Sequence, residues 1–322
     1  MRTHLLGATL FAVSFLFPSL CPAQSVALLG GRPLEIPFQL SSGYLVIVEG
    51  SIGPFDRLKF ILDTGTTRTC IDRRLARQLV LPLQVESVFR FDKQVRLNST
   101  HLPSLTLGPL QAENFSVNVA DLSHVGIGHA PIDAIIGLDV LESFPFQIDY
   151  EQMRITFGPI PSLAESASMD AIPLLPVVSL DFNGFKSLLL IDTGAIKTVL
   201  YSEKLRGSTY GWRFLGTETW ADSLGGITKA RKVVFQDAAI SSGRGFQEVY
   251  LIHAPPHDPL PMVNGILSPV AFGIRQIGFD FDRHIVTWTR RQGRYDDGVD
   301  GSYETSKGSD GVQSKIGRGE PQ

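Results

Sequence analysis

Cysteine is nearly absent from this 322-residue chain, which has only Cys21 and Cys70. If the N-terminal segment that carries Cys21 is removed, Cys70 stands alone, no intrachain disulfide can form, and stability must come from core packing. Cys70 itself reads as a small buried hydrophobe rather than a reactive thiol. The chain has no Lys/Arg-rich run and a formal charge of only -3. It therefore cannot neutralise a row of phosphates, which excludes nucleic acid as a partner. From Arg291 onward there is no Leu, Phe, Trp, Met or Ala, but there are seven glycines in 32 residues. Such a segment cannot bury enough apolar area to offset its ordering entropy, so 291–322 is expected to be a disordered tail.

Long apolar runs are also missing, apart from sixteen largely apolar residues, Leu5 to Leu20, that follow Arg2 and His4. That run is short for a bilayer span and has the layout of a secretory signal, residues 1–23, ending at the small Ala23. Export to the periplasm or the extracellular space is expected, with no stable membrane span once the signal is removed. A lipid anchor through Cys21 is disfavoured because Leu20 stands where a small residue is needed. A retained N-terminal anchor is the lesser alternative.

What the chain does have is a repeat. Residues 60 to 69 read FILDTGTTRT and residues 189 to 198 read LLIDTGAIKT, with Asp-Thr-Gly recurring 129 residues apart. At ordinary composition a given tripeptide is expected about 0.1 times in a chain of this length. Residues 133 to 157 also align without a gap to 264 to 288 at an offset of 131, matching Ile135, Asp149 and Thr156 to Ile266, Asp280 and Thr287. Two duplicated units follow, 29–158 and 177–290. They are joined by a linker at 159–176, where prolines bracket small residues.

Each unit reads as mainly β. The runs YLVIVEGSIG and RLKFIL, and later VVSLDFNGFKSLLLI, are short apolar stretches broken by Gly and Pro, so each tripeptide lies just past a buried strand. Ile71, Leu75 and Leu79 are spaced four apart, which predicts one short amphipathic helix.

A strand ending in Asp-Thr-Gly, a later apolar pair before Gly, and a repeat of both resemble the pepsin and retropepsin-like aspartic peptidases. The resemblance covers most of 29–290 and implies a bilobal acid-protease fold with the active-site cleft between two retropepsin-like units. It implies one catalytic aspartate per lobe, Asp63 and Asp192. Thr64 and Thr193 would cross-brace the loops, and Gly65 and Gly194 would permit the tight turns. Ile135, Ile136 and Gly137 would lie behind the first loop, and Ile266, Leu267 and Ser268 behind the second. Ser268 departs from the pattern, and strain is expected there if the backbone requires positive φ or close loop contact. Substrate-covering hairpins would fall at VFRFDKQVRL and TETWADSLGGITK, with Trp220 of the second reading as a packing residue.

The implied chemistry needs two acids. Peptide hydrolysis without a metal or covalent intermediate requires one group to take a proton from water and another to give one to the carbonyl oxygen. Two adjacent carboxyls do both, because their repulsion leaves one proton shared. A peptide or protein substrate, no metal, no organic cofactor and a monomer with internal pseudo-two-fold symmetry are the corresponding expectations.

Other readings compete. LDTGTTRTCI is also similar to the phosphate loop of actin and chaperone-type ATPases, though that family is larger and more helical. A catalytically inert retropepsin-like module that binds peptides or a partner would keep the aspartates as structural acceptors. His253 and His257 lie in HAPPH, whose prolines prevent a helix from presenting both to a metal. Asn98 and Asn114 are glycan acceptors only in a eukaryotic secretory route. Asp149 and Asp280 read as strand or turn acceptors.

Overall fold

A computed structural model of the chain describes residues 8–10, 14–15, 26–28, 34–90, 93–123, 125, 131–169, 172, 175–182, 185–205, 212–214, 219–223, 226–235, 247–254 and 260–290. Most of the expected signal, all of the tail and His257 lie outside these residues. By contacts the chain divides into Met1–Arg291 and Gln292–Gln322.

The first of these units is mainly β, in three sheets. One sheet orders its strands Gln84–Arg90, Lys93–Leu107, Leu110–Ala120, Cys70–Asp72, Ala134–Ile136, Phe55–Leu62 and Leu45–Ile52. A second runs Thr219–Ser223, Gly226–Phe235, Gln247–Ile252, Val199–Tyr201, Gly265–Leu267, Phe185–Ile191 and Val177–Phe182. Strand for strand, the two orders correspond. Short edge strands extend both sheets, Ser14–Phe15 and Gln39–Ser41 on the first and Ala8–Leu10 on the second.

These strands are apolar because both faces of each sheet's centre are covered. Phe60, Ile61 and Leu62 have no exposed surface, and Leu189, Leu190 and Ile191 are almost as fully buried. Such continuous runs suit strands with parallel neighbours, and both make one: Ile61 pairs Ile135 and Leu190 pairs Ile266, each in a parallel ladder.

A third sheet draws on both ends of the unit, in the order Glu165–Ser168, Ile285–Arg290, Ile274–Asp280, Phe146–Asp149, Arg154–Phe157 and Leu34–Pro37. At its centre Phe146 pairs Phe279, Gln147 pairs Gly278 and Ile148 pairs Ile277, antiparallel. Gln147 and Gly278 are 131 residues apart, the same offset as the sequence alignment. The pairing is thus symmetric about that pair. Phe146 and Phe279 stack with ring centroids 4.9 Å apart.

Helix α1, Arg73–Gln78, is the short amphipathic helix expected after the first motif. The Asp72 side chain caps it by accepting from the Arg74 N–H, and Leu75 and Ala76 are its buried face. The segment read as a linker contains the strand Glu165–Ser168, which pairs Ile285–Arg290. Its Pro and small-residue content hid an edge strand. Asp149 accepts from the Glu151 and Gln152 N–H groups and Asp280 from that of Arg283, the turn role their positions suggested. Cys70 is half-buried against a small apolar cluster that includes Tyr44, Ile61 and Ile135. No helix among the described residues is long and apolar enough to cross a membrane.

Candidate active site

The strands Phe55–Leu62 and Phe185–Ile191 each deliver an aspartate at their C-terminal end, and the parallel neighbour of each strand fixes where the chain turns. The Asp63 N–H donates to the Ile136 carbonyl at 3.0 Å and the Asp192 N–H to the Leu267 carbonyl at 3.0 Å. The apolar pairs Ile135-Ile136 and Ile266-Leu267 are therefore the backing of the two loops.

The loops are tied together by reciprocal threonine bonds. Thr64 N–H donates to Thr193 Oγ1 and Thr193 N–H to Thr64 Oγ1, both at 3.1 Å. The Thr64 hydroxyl donates onward to the Ile191 carbonyl at 2.8 Å, and the Thr193 hydroxyl to the Leu62 carbonyl at 2.9 Å. Four buried bonds thus join segments 129 residues apart, and each hydroxyl both donates and accepts.

Both carboxyls are buried, Asp63 at 1% exposure and Asp192 at 0%. Gly65 N–H donates to Asp63 Oδ1 at 2.8 Å and Gly194 N–H to Asp192 Oδ1 at 2.7 Å. Each carboxyl also lies over the other loop's glycine. A Cβ on Gly65 would sit 2.4 Å from Asp192 Cγ, and one on Gly194 would sit 2.8 Å from Asp63 Cγ. No side chain fits in that gap. Gly65→Ala should consequently displace Asp192 and lower the unfolding free energy by about 3 kcal/mol. Urea denaturation beside wild type measures this, and an unchanged midpoint would mean that the two loops are not in contact.

The pair is chemically unequal. Asp63 Oδ2 accepts a further bond from the Thr66 hydroxyl at 2.9 Å, whereas Ala195 holds the matching position in the second loop and offers no hydroxyl. Asp192 Oδ2 has no fixed donor among the described residues, and the group beside it is the Asp63 carboxyl. Burial raises the Asp63 pKa against several hydrogen bonds that lower it. Burial and then the charge of Asp63 raise Asp192 well above the ordinary carboxylate range.

Behind the loops the halves differ again. Gly137 is needed because a Cβ there would come within 2.8 Å of the Thr66 carbonyl oxygen. Ser268 fits without strain. It is not among the positive-φ residues, and its hydroxyl accepts from the Ala271 N–H at 3.2 Å, capping a single helical turn. The expected strain is therefore absent, because the second loop leaves room for a side chain. A cap predicts that Ser268→Ala costs about 1 kcal/mol of unfolding free energy and Ser268→Gly only a few tenths. A gain with glycine, read by denaturant titration, would restore the strained reading.

Three residues of the site were not singled out from sequence: Thr66, Thr69 and Asp139. Thr69 and its equivalent Thr198 stand at the last position of both quoted motifs, and their hydroxyls accept from the Gly137 and Ser268 N–H groups at 3.1 and 3.3 Å. That shared threonine was the available signal. The hairpins expected to cover substrate are formed by Gln84–Arg90 with Lys93–Leu107 and by Thr219–Ser223 with Gly226–Phe235. Asp92, Gly225 and the Trp220 side chain fall outside what is described. His253 Nδ1 lies 2.5 Å from Glu203 Oε1, and among the described residues no group of three or more His, Cys, Asp or Glu side chains could hold a metal ion.

Residues 48–140 match a family model described as aspartyl protease. The matched stretch holds Asp63, Thr64, Gly65 and the Ile135-Ile136-Gly137 backing and ends before Asp192. No curated protein matches the chain. Over that stretch the chain is similar to the aspartyl protease family.

Proposed function

We propose that the chain is a duplicated, bilobal aspartic endopeptidase that hydrolyses peptide bonds with a water activated between Asp63 and Asp192. The observation that carries this reading is the reciprocal Thr64–Thr193 bracing, which holds two buried carboxyls against each other's loop. The corresponding strand orders and the symmetric Gln147–Gly278 pairing support the duplication. Supported by its leader-like N-terminus, we place the enzyme outside the cytoplasm, acting as a monomer on peptides or proteins held beneath the two hairpins.

Two buried carboxyls in contact cannot both ionise without a large cost, so the resting pair holds one proton. The inequality of the site assigns it. Asp63, with donors from Gly65 and Thr66, is the better stabilised anion, and Asp192 has the more strongly raised affinity for a proton. Water attacks the scissile carbonyl carbon as Asp63 takes its proton, and Asp192 gives its proton to the carbonyl oxygen. The resulting gem-diol collapses when a hydroxyl proton returns to Asp192, the C–N bond breaks and the leaving nitrogen takes the proton from Asp63. The products are a carboxylic acid and an amine, and the pair again holds one proton.

The test is cleavage of a mixed peptide library between about pH 3 and 7 by wild type and Asp63→Asn side by side. Endoproteolytic fragments from wild type alone are expected. No cleavage by wild type, with peptide binding unaffected by the substitution, would favour an inert binding module.

A further inference from the structure

Asp139 is partly buried and lies at the start of α2, Leu138–Leu141, behind the Asp63 loop. Its two carboxyl oxygens accept from the Thr69 N–H at 2.9 and 2.8 Å, and Oδ1 also accepts from the Thr69 hydroxyl at 2.7 Å. That hydroxyl in turn accepts from the Gly137 N–H at 3.1 Å. In the other direction, the Leu138 and Asp139 N–H groups donate to the Thr66 and Thr67 carbonyls at 2.8 and 3.2 Å. Every backbone residue from Thr66 to Thr69 except Arg68 is therefore bonded to the Gly137–Asp139 turn. Thr66 is also the residue whose hydroxyl reaches Asp63.

The second loop keeps one of these bonds, from the Ser268 N–H to the Thr198 hydroxyl at 3.3 Å, but it has no acid in the place of Asp139. Position 270, equivalent to Asp139 at the offset of 131, is a valine, and the Ser268 hydroxyl caps its own turn. The charged groups facing Asp139 are Arg68, itself paired to Glu86 at 2.8 Å, and Glu142 one turn further along.

We propose that Asp139 is a positioning residue that holds the 66–69 segment, and through the Thr66 hydroxyl fixes the Asp63 carboxyl, so that the proton-accepting half of the pair is set by an acid that the other half lacks. The role rests on the peptidase reading for its consequence in turnover, but not for its effect on the dyad's titration. Without the Asp139 acceptors the 66–69 segment loses its hold at Thr69 and keeps only the backbone bonds at Thr66 and Thr67, the Thr66 hydroxyl drifts from Asp63 Oδ2, and the anion loses a donor. Misplacing a reacting group in this way slows chemistry more than it weakens binding.

The experiment compares Asp139→Ala, Asp139→Asn and Thr69→Val with wild type in the full chain. It uses peptide-cleavage kinetics, urea denaturation and carboxyl 13C NMR titration of Asp-labelled protein. Asp139→Ala should lower kcat by about tenfold or more with KM within about twofold, and it should raise the dyad's lower titration midpoint. Asp139→Asn keeps one carbonyl acceptor for Thr69 and should recover part of both losses. Thr69→Val should shift both readouts in the direction of the alanine variant, and it decides alone if Asp139→Ala does not fold. Reduced stability with kcat and dyad titration at wild-type values would overturn the proposal and leave Asp139 a merely structural acid. If wild type cleaves no peptide, the peptidase reading fails, and the NMR titration alone upholds or overturns the positioning role.

Discussion

Replacing either aspartate of the pair by asparagine should lower peptide cleavage at least a thousandfold while leaving the chain folded. The magnitude follows from the division of labour. General acid and general base assistance each contribute roughly 10²–10⁴-fold, and one remaining carboxyl cannot perform both at once. Residues that act as a unit are non-additive, so the double substitution should be barely worse than either single one. The near-isosteric amide keeps an oxygen for the Gly65 or Gly194 N–H. It also removes a buried ionisable group, and near neutral pH Asp192→Asn should be at least as stable as wild type, since burial and Asp63 both penalise its charge. Steady-state cleavage of one fluorogenic peptide, measured with melting curves of the same preparations, reads both effects. Wild-type rates in either variant would sink the dyad, and unfolded variants would show that the carboxyls serve the fold first. The pH profile of wild type should be bell-shaped, with limbs that belong to the pair and not to either residue.

Much of this site was legible in the sequence because the relevant signals are local. Asp63 and Asp192 each follow a buried apolar run, and the repeated tripeptide placed Thr64, Gly65, Thr193 and Gly194 beside them. The Ile135-Ile136 pair was visible as a second short apolar run, and its parallel ladder with Phe60–Leu62 is what such a run forms when both faces are covered. What sequence did not reveal depends on contacts across the fold. Glu165–Ser168 has few strand-forming side chains and is a strand only because Ile285–Arg290 presents an edge to it. Asp139 looked like any acidic residue in a turn. Its importance arises from Thr69, 70 residues earlier, which lies next to it because Cys70–Asp72 and Ala134–Ile136 share a ladder. Strain at Ser268 was inferred by likeness to Gly137, and the error lay in assuming that both loops approach their backing turns equally closely.

The acids in and behind the first loop, with Asp192, predict an unusual dependence of stability on pH. Burial pushes the Asp139 carboxyl up to about 7 against opposing hydrogen bonds to Thr69, and burial together with Asp139 pushes Glu142 to about 7. Asp63 and Asp192 are raised as well, in both cases chiefly by burial. A carboxyl whose folded pKa is raised binds its proton more tightly in the folded chain than in the unfolded one. For Asp139 and Glu142 that stabilising contribution is complete below the unfolded value near 4 and is lost as pH rises through the folded value near 7. For Asp139 a rise from 3.8 to about 7 corresponds to about 4 kcal/mol across that window. Glu203 works in the opposite sense: its slight burial is outweighed by the Ala254 N–H and His253, which hold it at about 2. Its side chain is 35% exposed, and its contribution is lost only as pH falls below the ordinary carboxylate range, so it does not reverse the trend. Urea midpoints of the full chain should therefore rise as pH is lowered from about 8 to about 4, the reverse of ordinary acid denaturation. Asp139→Asn should flatten that slope by removing one of the groups whose proton is held more tightly in the folded chain. Stability that instead falls steadily over the same range would show that these carboxyls are ionised and well solvated in the folded chain, and that the pair at Asp63 and Asp192 does not hold a proton.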